Sequence, residues 1–293
     1  MQRSEHASAA ESSTTERHPW NQRFEWWTPT GPHRALSDAQ AKQFNDEGYV
    51  VLEDVLDLDV IDELRAELDA YEAKTTAFLR EQESGRLTIA EDGAITFTTH
   101  VVARNAVARA FSALPLFVDL CLDLIGPDVN LYWDQAVYKK PEKPRRFPWH
   151  QDNGYAYVEP QQYLTCWVPL TDATLENGCP QVARRLHRLG TMQHLYVDPL
   201  GFECLDDPDD VAVAEVRAGG VVVFSSLTPH LTGPNTTDAV RKAYILQYAP
   251  AGAEVLRGDP SSTEAPRREP TDAPERQYAV ARGGARVAPP ALP

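Results

Sequence analysis

The chain has 293 residues, 42% of them hydrophobic and 24% charged, the composition of a soluble globular protein able to bury a large core. A formal net charge of −15 argues against a general nucleic-acid binder or a protein that clings to anionic membranes. No uninterrupted apolar run approaches the length of a membrane span.

The elements follow in chain order. Residues 1–35 are rich in Ser, Glu, Thr and Pro and are expected to form a poorly ordered N-terminal segment, although Trp20, Phe24, Trp26 and Trp27 offer rings that could dock. Met1 to Thr15 is polar, so neither secretion nor a membrane anchor is signalled. Ordered structure is expected from Ser37, which has capping-box spacing to Gln40, with Gly48 as the helix stop. Tyr49 to Leu52 reads as a strand. Val60, Ile61, Leu64, Leu68 and Tyr71 recur at helical steps and predict a second, amphipathic helix. A hairpin is expected between Leu87–Ala90 and Ala94–Thr98, turning at Glu91-Asp92-Gly93. A third helix runs from Leu116 to Ile125 and ends at Gly126-Pro127.

From Val129 the character changes. Val129–Tyr138, Tyr163–Leu170, Val211–Val216, Gly220–Ser225 and Lys242–Tyr248 read as strands separated by Pro, Gly, Asn and Asp. No helical period intervenes, so a parallel βαβ sheet is disfavoured and an antiparallel sandwich or jelly roll is expected. The fold class is therefore mainly β with flanking helices, and residues 36–250 are expected to form one domain. Residues 251–293 are charged and proline-rich, with little periodicity, and read as a flexible C-terminal tail. Cys121, Cys166, Cys179 and Cys204 show no CxxC spacing and read as reduced, mostly buried thiols, which points to the cytoplasm. The pairs Arg145-Arg146 and Arg184-Arg185 read as solvated loop charges.

The chemistry-bearing pattern is His150-Gln151-Asp152, then His230, then Arg241 eleven positions later. Side chains at i and i+2 of a strand share a face, so His150 and Asp152 on one short strand can chelate one ion. A second imidazole from a distant segment completes two nitrogens and one carboxylate, a set that leaves coordination sites open. That is the ligand set of a non-haem Fe(II) oxygenase. Taken singly, each part also has a bland reading: a surface His/Asp pair, a satisfied core histidine, a structural ion pair at Arg241. The inference rests on their conjunction.

These residues carry a family resemblance. Gln135-Ala-Val-Tyr-Lys-Lys-Pro141, Trp149-His-Gln-Asp152, Thr165-Cys-Trp-Val-Pro169, Glu176-Asn-Gly-Cys179, His230 through Arg241, and the opening Asp46-Glu-Gly-Tyr-Val-Val-Leu52 together resemble the phytanoyl-CoA dioxygenase family of Fe(II)/2-oxoglutarate-dependent oxygenases. The resemblance runs from about Leu36 to Pro250 and implies a double-stranded β-helix (jelly-roll, cupin-like) core. It implies Fe(II) held by His150, Asp152 and His230, with 2-oxoglutarate and O2 as co-substrates and a small molecule as substrate. Arg241 would hold the distal carboxylate of 2-oxoglutarate, with Thr232 nearby. Gln135 and Trp167 match positions lining the co-substrate pocket, Trp167 serving equally well as barrel core, and His100 could reach it from the preceding segment. Retention of Asp152, which a small residue replaces in related halogenases, favours hydroxylation or another oxygenation over halogenation.

The chain departs from the family after Cys179. A Pro-Gly-Ser-His type turn is replaced by Ala183-Arg184-Arg185-Leu186-His187, which changes the permitted turn geometry and leaves two arginines to meet an anionic substrate or water. Asn153, Tyr155, Tyr157 and Trp133 flank the metal segment and are candidate substrate contacts. There is no phosphate-cradling Gly-rich loop to recognise CoA. Two other readings stay open: a jelly-roll metalloenzyme that uses the triad without 2-oxoglutarate, against which Arg241 argues, and a non-catalytic ligand-binding barrel. Oligomeric state has no signal in the sequence.

Overall fold

A computed structural model describes residues 16–292. Helix α1 (Asp38–Glu47) carries both halves of the expected capping box, and Gly48 ends it in the left-handed region at φ 89°. The chain then runs through β1 (Tyr49–Leu52) and α2 (Leu58–Arg80), which buries Ile61, Leu64 and Leu68. The expected hairpin is tighter and broken in two: β2 (Arg86–Leu87) pairs with β3 (Ala90–Glu91), and β3 with β4 (Ile95–Thr99). Two more helices follow, α3 (Ala106–Phe111) and α4 (Pro115–Leu124).

The β-rich part begins with β5 (Val129–Lys139) and β6 (Phe147–His150), followed by the one-turn α5 (Asp152–Tyr155). It continues with β7 (Val158–Glu159), β8 (Leu164–Pro169), β9 (Pro180–Ala183), β10 (Leu195–Val197), β11 (Gly201–Glu203) and β12 (Val211–Val213). The last strands of the barrel are β13 (Val221–Ser225), β14 (His230–Thr232) and β15 (Arg241–Pro250). A long sheet in the order β1-β13-β8-β15-β5-β4 faces a shorter one, β12-β9-β14-β6, and every pairing is antiparallel. This is the jelly-roll, or double-stranded β-helix, architecture.

Period-two alternation sorts the side chains of the long sheet. Val222 and Phe224 of β13, and Ala243 and Ile245 of β15, join a core between the two sheets with Val182 and Trp167. Their neighbours Val221, Val223, Tyr244, Leu246 and Tyr248 face the other way and pack with Phe44, Leu64, Leu68 and Phe117 of the helices. With both faces covered, the strands read as continuous apolar runs, which is why they were legible in the sequence.

The two ends differ from expectation. Residues 1–15, part of the segment expected to be poorly ordered, lie outside the described residues. Residues 16–35 are laid against the barrel: buried Asn21 donates from Nδ2 to the carbonyls of Leu189 and Thr191, and Trp26 donates to Asn45 and stands edge-on to His187. The expected flexible tail also packs. Strands β16 (Glu254–Arg257) and β17 (Arg267–Pro270) build a small sheet on β7, and β18 (Ala279–Arg282), paired with β19 (Ala285–Arg286), joins β5. Tyr278, Val280 and Ala281 enter the main core, and the buried Arg109 guanidinium donates to the carbonyls of Pro290 and Ala291. These strands are two to four residues long, too short to show a period among the prolines and charges around them.

Among the described residues no helix is long and apolar enough to cross a membrane.

Candidate metal centre and its cavities

His150, Asp152 and His230 come together between the two sheets, each offering a ligand atom, all within 4.8 Å of one another. The antiparallel pairing of β14 with β6 makes the histidines direct cross-strand partners, with ring centroids 4.1 Å apart. Asp152 arrives differently from the expected strand-borne pair. His150 is the last residue of β6, whereas Asp152 opens α5 after Gln151 turns the chain. The three side chains singled out in the sequence are the ones brought together, but a shared strand face is not how the carboxylate reaches the cluster.

The surroundings hold each ligand in a state fit for a metal. The Nδ1 atoms of His150 and His230 lie 2.8 and 3.0 Å from the carbonyls of Pro148 and Thr228. A carbonyl only accepts, so each Nδ1 carries the proton and each Nε2 presents its lone pair towards Asp152 Oδ1, 3.9 and 4.0 Å away. Burial holds the His150 pKa well below its ordinary value, so the ring is neutral at pH 7. Asp152 Oδ2 accepts from the Thr165 hydroxyl at 2.5 Å, which leaves Oδ1 for the cluster.

Gln151, between two of the ligands, is fully buried and tied on every side. Its N–H donates to His194 Nε2 at 2.9 Å, its amide donates to the carbonyls of Gly190 and Leu227, and its Oε1 accepts from Met192. Gly154 lies against the same His194: a Cβ there would stand 2.1 Å from the ring, so only glycine permits the turn that carries Asp152.

Two cavities adjoin the cluster, with His150 and Asp152 in the walls of both. The inner one, about 50 Å³, is lined by the three candidate ligands with Gln135, Trp167, Thr232 and Arg241, so four of the five residues matched to the co-substrate reach it. Arg241 is 1% exposed, and none of its three guanidinium nitrogens has a hydrogen-bond partner. Its guanidinium lies 5.1 Å from the Trp167 ring centre, and burial pulls its pKa down to about 9. An unpartnered buried guanidinium demands an anion, and the donor set beside it suits a divalent metal.

His100 is the exception. It lines neither cavity: its Nε2 is 2.9 Å from Arg276 and its ring stands edge-on to Trp133.

The outer cavity, about 450 Å³, reaches His150 and Asp152 and takes in the expected Trp133 and Tyr155. Asn153 and Tyr157 do not line it. Asn153 braces the turn by bonding Thr191 and Val158, and Tyr157 packs on His18 and Trp20. Arg184 and Arg185 turn to Asp210 and line neither cavity. A larger, open cleft of about 820 Å³ between Trp20–Trp27 and Glu159–Gln162 holds no histidine and lies apart from the metal cluster.

Sequence reasoning missed Thr165, Gln151 as an anchor, and His194. Thr165 had a usable signal, since it stands two residues before Trp167 on β8 and therefore shares its face.

Comparison with known proteins agrees with this geometry. The family profile described as phytanoyl-CoA dioxygenase (PhyH) matches residues 44–243. The peroxisomal phytanoyl-CoA dioxygenase of Rattus norvegicus is 25% identical over 271 residues, 85% of this chain and 78% of the relative. The methylphosphonate hydroxylase of Gimesia maris is 28% identical over 222 residues, 73% of this chain and 80% of the relative. Among solved structures, EctD from S. alaskensis with 2-oxoglutarate and 5-hydroxyectoine superposes with a TM-score of 0.63 at 21% identity, over 90% of this chain and 94% of that one.

Proposed function

This chain belongs to the phytanoyl-CoA dioxygenase (PhyH) family and is a dioxygenase dependent on Fe(II) and 2-oxoglutarate, and from that premise we propose that it hydroxylates a small molecule held in the outer cavity, using His150, Asp152 and His230 as its iron ligands. The observation that carries the assignment of 2-oxoglutarate to the inner cavity is Arg241, a buried guanidinium whose three nitrogens lack partners. Its fork would take the distal carboxylate bidentately, beside Thr232, with Trp167 and Gln135 as walls.

When bound, the ferrous ion and its co-substrate supply a dioxygen-derived oxidant, and 2-oxoglutarate leaves as succinate and carbon dioxide. The protein's part is to position and to exclude water. Pro148 and Thr228 carbonyls fix both imidazole tautomers; Thr165 engages one oxygen of Asp152 so that the other would be left for the metal. Retention of the carboxylate at position 152 supports hydroxylation over halogenation, because it leaves no coordination site for a halide. The buried thiols of Cys121, Cys166 and Cys179, none of them paired, suit a reducing cytoplasm.

The test is an anaerobic titration. Fe(II) and 2-oxoglutarate added together should give a weak visible charge-transfer band, absent with either alone and absent in Arg241→Ala. Iron binding without the band would sink the co-substrate assignment.

A further inference from the structure

Building on that reading, we propose that the substrate is an uncharged, ring-containing molecule, recognised by aromatic walls and side-chain amides with no ionic contact. The outer cavity has the size of a drug-sized ligand site and is walled by six aromatic rings: Phe97, Tyr132, Trp133, Phe147, Tyr155 and Tyr163. A β-bulge in β5 accounts for two of them. Gln247 of β15 sits opposite Trp133 and Tyr248 opposite Leu131, so Tyr132 is an extra residue, and both neighbouring rings reach the cavity where regular pleating would send them to opposite faces.

The polar lining consists of hydroxyls and amides, chiefly Thr88, Thr99, Gln135 and Gln247. The only ionisable groups besides tyrosines are His150 and Asp152, which the metal claims. Two guanidinium groups flank the Leu87–Ala90 wall, and both are engaged elsewhere: Arg86 pairs with Asp198 and Arg145 with Glu91. The contrast with the inner cavity is the core of the inference. There a buried cationic side chain waits for a carboxylate; here, in the adjoining cavity, no cationic side chain faces the ligand. An anion entering the outer cavity would lose its hydration without replacement, at a protein carrying −15 overall.

Aromatic packing also continues outwards from the cavity wall. Tyr196, half exposed, contacts Phe202, Phe202 contacts Tyr155, Tyr155 stacks on Phe147, and Phe147 meets His150, with centroid separations of 5.4, 5.4, 5.9 and 4.6 Å. Leu87, at the cavity wall, is likewise exposed. The rings that line the cavity favour flat, apolar solutes, which gain stacking without ordering a long chain.

The experiment is equilibrium dialysis of the Fe(II)- and 2-oxoglutarate-loaded protein, without oxygen, against five probes. Flavanone and testosterone are neutral and cyclic; methylphosphonate, ectoine and octanoyl-CoA are charged. We expect both neutral probes to bind at least tenfold more tightly than any charged one, to perturb the charge-transfer band, and to bind about tenfold more weakly to Trp133→Ala. Equal or tighter binding of a charged probe overturns the proposal, as does failure of both neutral probes to bind. The same dialysis on metal-free protein separates the two readings. If no charge-transfer band forms but the neutral probes still bind selectively, the iron and co-substrate assignment has failed and the cavity's preference stands; a normal band with charged probes preferred is the reverse.

Discussion

Lys139 and Arg241 are cross-strand partners on β5 and β15, each 1% exposed, and their donors are used in opposite ways. Lys139 Nζ is spent on three carbonyls, those of Arg145 at 3.0 Å, Thr232 at 2.8 Å and Gly233. Arg241 donates to nothing. Like charges directly opposite on a sheet destabilise it, and burial pushes the pKa of both groups down, that of Lys139 well below its ordinary value. The empty-handed arginine is thus an instability that a bound dicarboxylate would relieve.

Arg241→Met should therefore stabilise the protein in the absence of co-substrate, by about 1–4 kcal/mol, since apolar replacement of buried charge is commonly neutral to stabilising. Saturating 2-oxoglutarate at 100 times its Kd should add about 2.7 kcal/mol to the wild type. The variant should lose that gain, along with ~2–5 kcal/mol of co-substrate affinity. Urea denaturation with and without 2-oxoglutarate checks both halves. A variant less stable than wild type yet still stabilised by 2-oxoglutarate would show that Arg241 serves the fold and not the ligand.

The Thr165 hydroxyl donates to Asp152 Oδ2, which suits it to aiming the carboxylate. Thr165→Val keeps the shape of the side chain and removes the donor. Loss of an outer hydrogen bond to a metal ligand typically costs about 10–100-fold in metal affinity. We expect iron affinity and succinate release to fall by that factor, with excess Fe(II) restoring much of the rate. Asp152→Ala should be beyond such rescue. Unchanged iron affinity in Thr165→Val would remove Thr165 from the site.

What the sequence discloses, and what it hides, follows from how chemistry is distributed along it. His150, Asp152, His230 and Arg241 stand out because such side chains are seldom set among apolar strands, and their order could be read directly. The strand-sharing argument for Asp152 was nevertheless wrong, because Gln151 turns the chain under constraints from His194, Leu227 and Met192 that lie 41 to 76 positions away. Lys139 lies one residue beyond the strand read at Val129–Tyr138, and nothing in the sequence marks it as buried. Its burial depends on carbonyls of residues 232 and 233, which no local pattern announces. The four long, two-sided strands were legible for the opposite reason: burial on both faces writes itself as an apolar run.

Acid should unfold the protein in a window that its histidines define. His187 is fully buried, its Nε2 bonds the Asn45 carbonyl, its Nδ1 has no partner, and burial lowers its pKa to about 4. Between pH 6.5 and 4 the unfolded chain binds this proton and the folded one does not, so stability is full above pH 6.5 and falls as pH drops towards 4. Each such proton contributes a slope of up to about 1.4 kcal/mol per pH unit. His18 and His100 are lowered in the same direction by partial burial. Replacing His187 with Phe should flatten the dependence of urea-unfolding free energy on pH by up to one proton. An unchanged slope would mean that His187 titrates alike in both states.

The last strands are expected to be as necessary as the barrel. Strand β18 covers the edge of β5 at Val129 and Asn130, and Tyr278 fixes its start by hydrogen bonding Ser112 at 2.8 Å and giving its carbonyl to Leu131. Ending the chain at Pro250 would strip Tyr278, Val280 and Ala281 from the main core and bare the apolar surface beneath them. It would also leave the Arg109 guanidinium, 4% exposed, without the Pro290 and Ala291 carbonyls that it donates to. With the Glu275 carbonyl gone as well, only the Val102 carbonyl would still accept from that buried charge, a loss of up to about 3–5 kcal/mol against the roughly 5–15 kcal/mol that holds a domain folded. The truncated chain should therefore be insoluble or lack a cooperative thermal transition. Arg109→Met in the full chain should recover most of the wild-type stability, because it removes the charge together with its need. A truncated chain that melts cooperatively within a few degrees of the wild type would return residues 251–293 to the status of an appended tail.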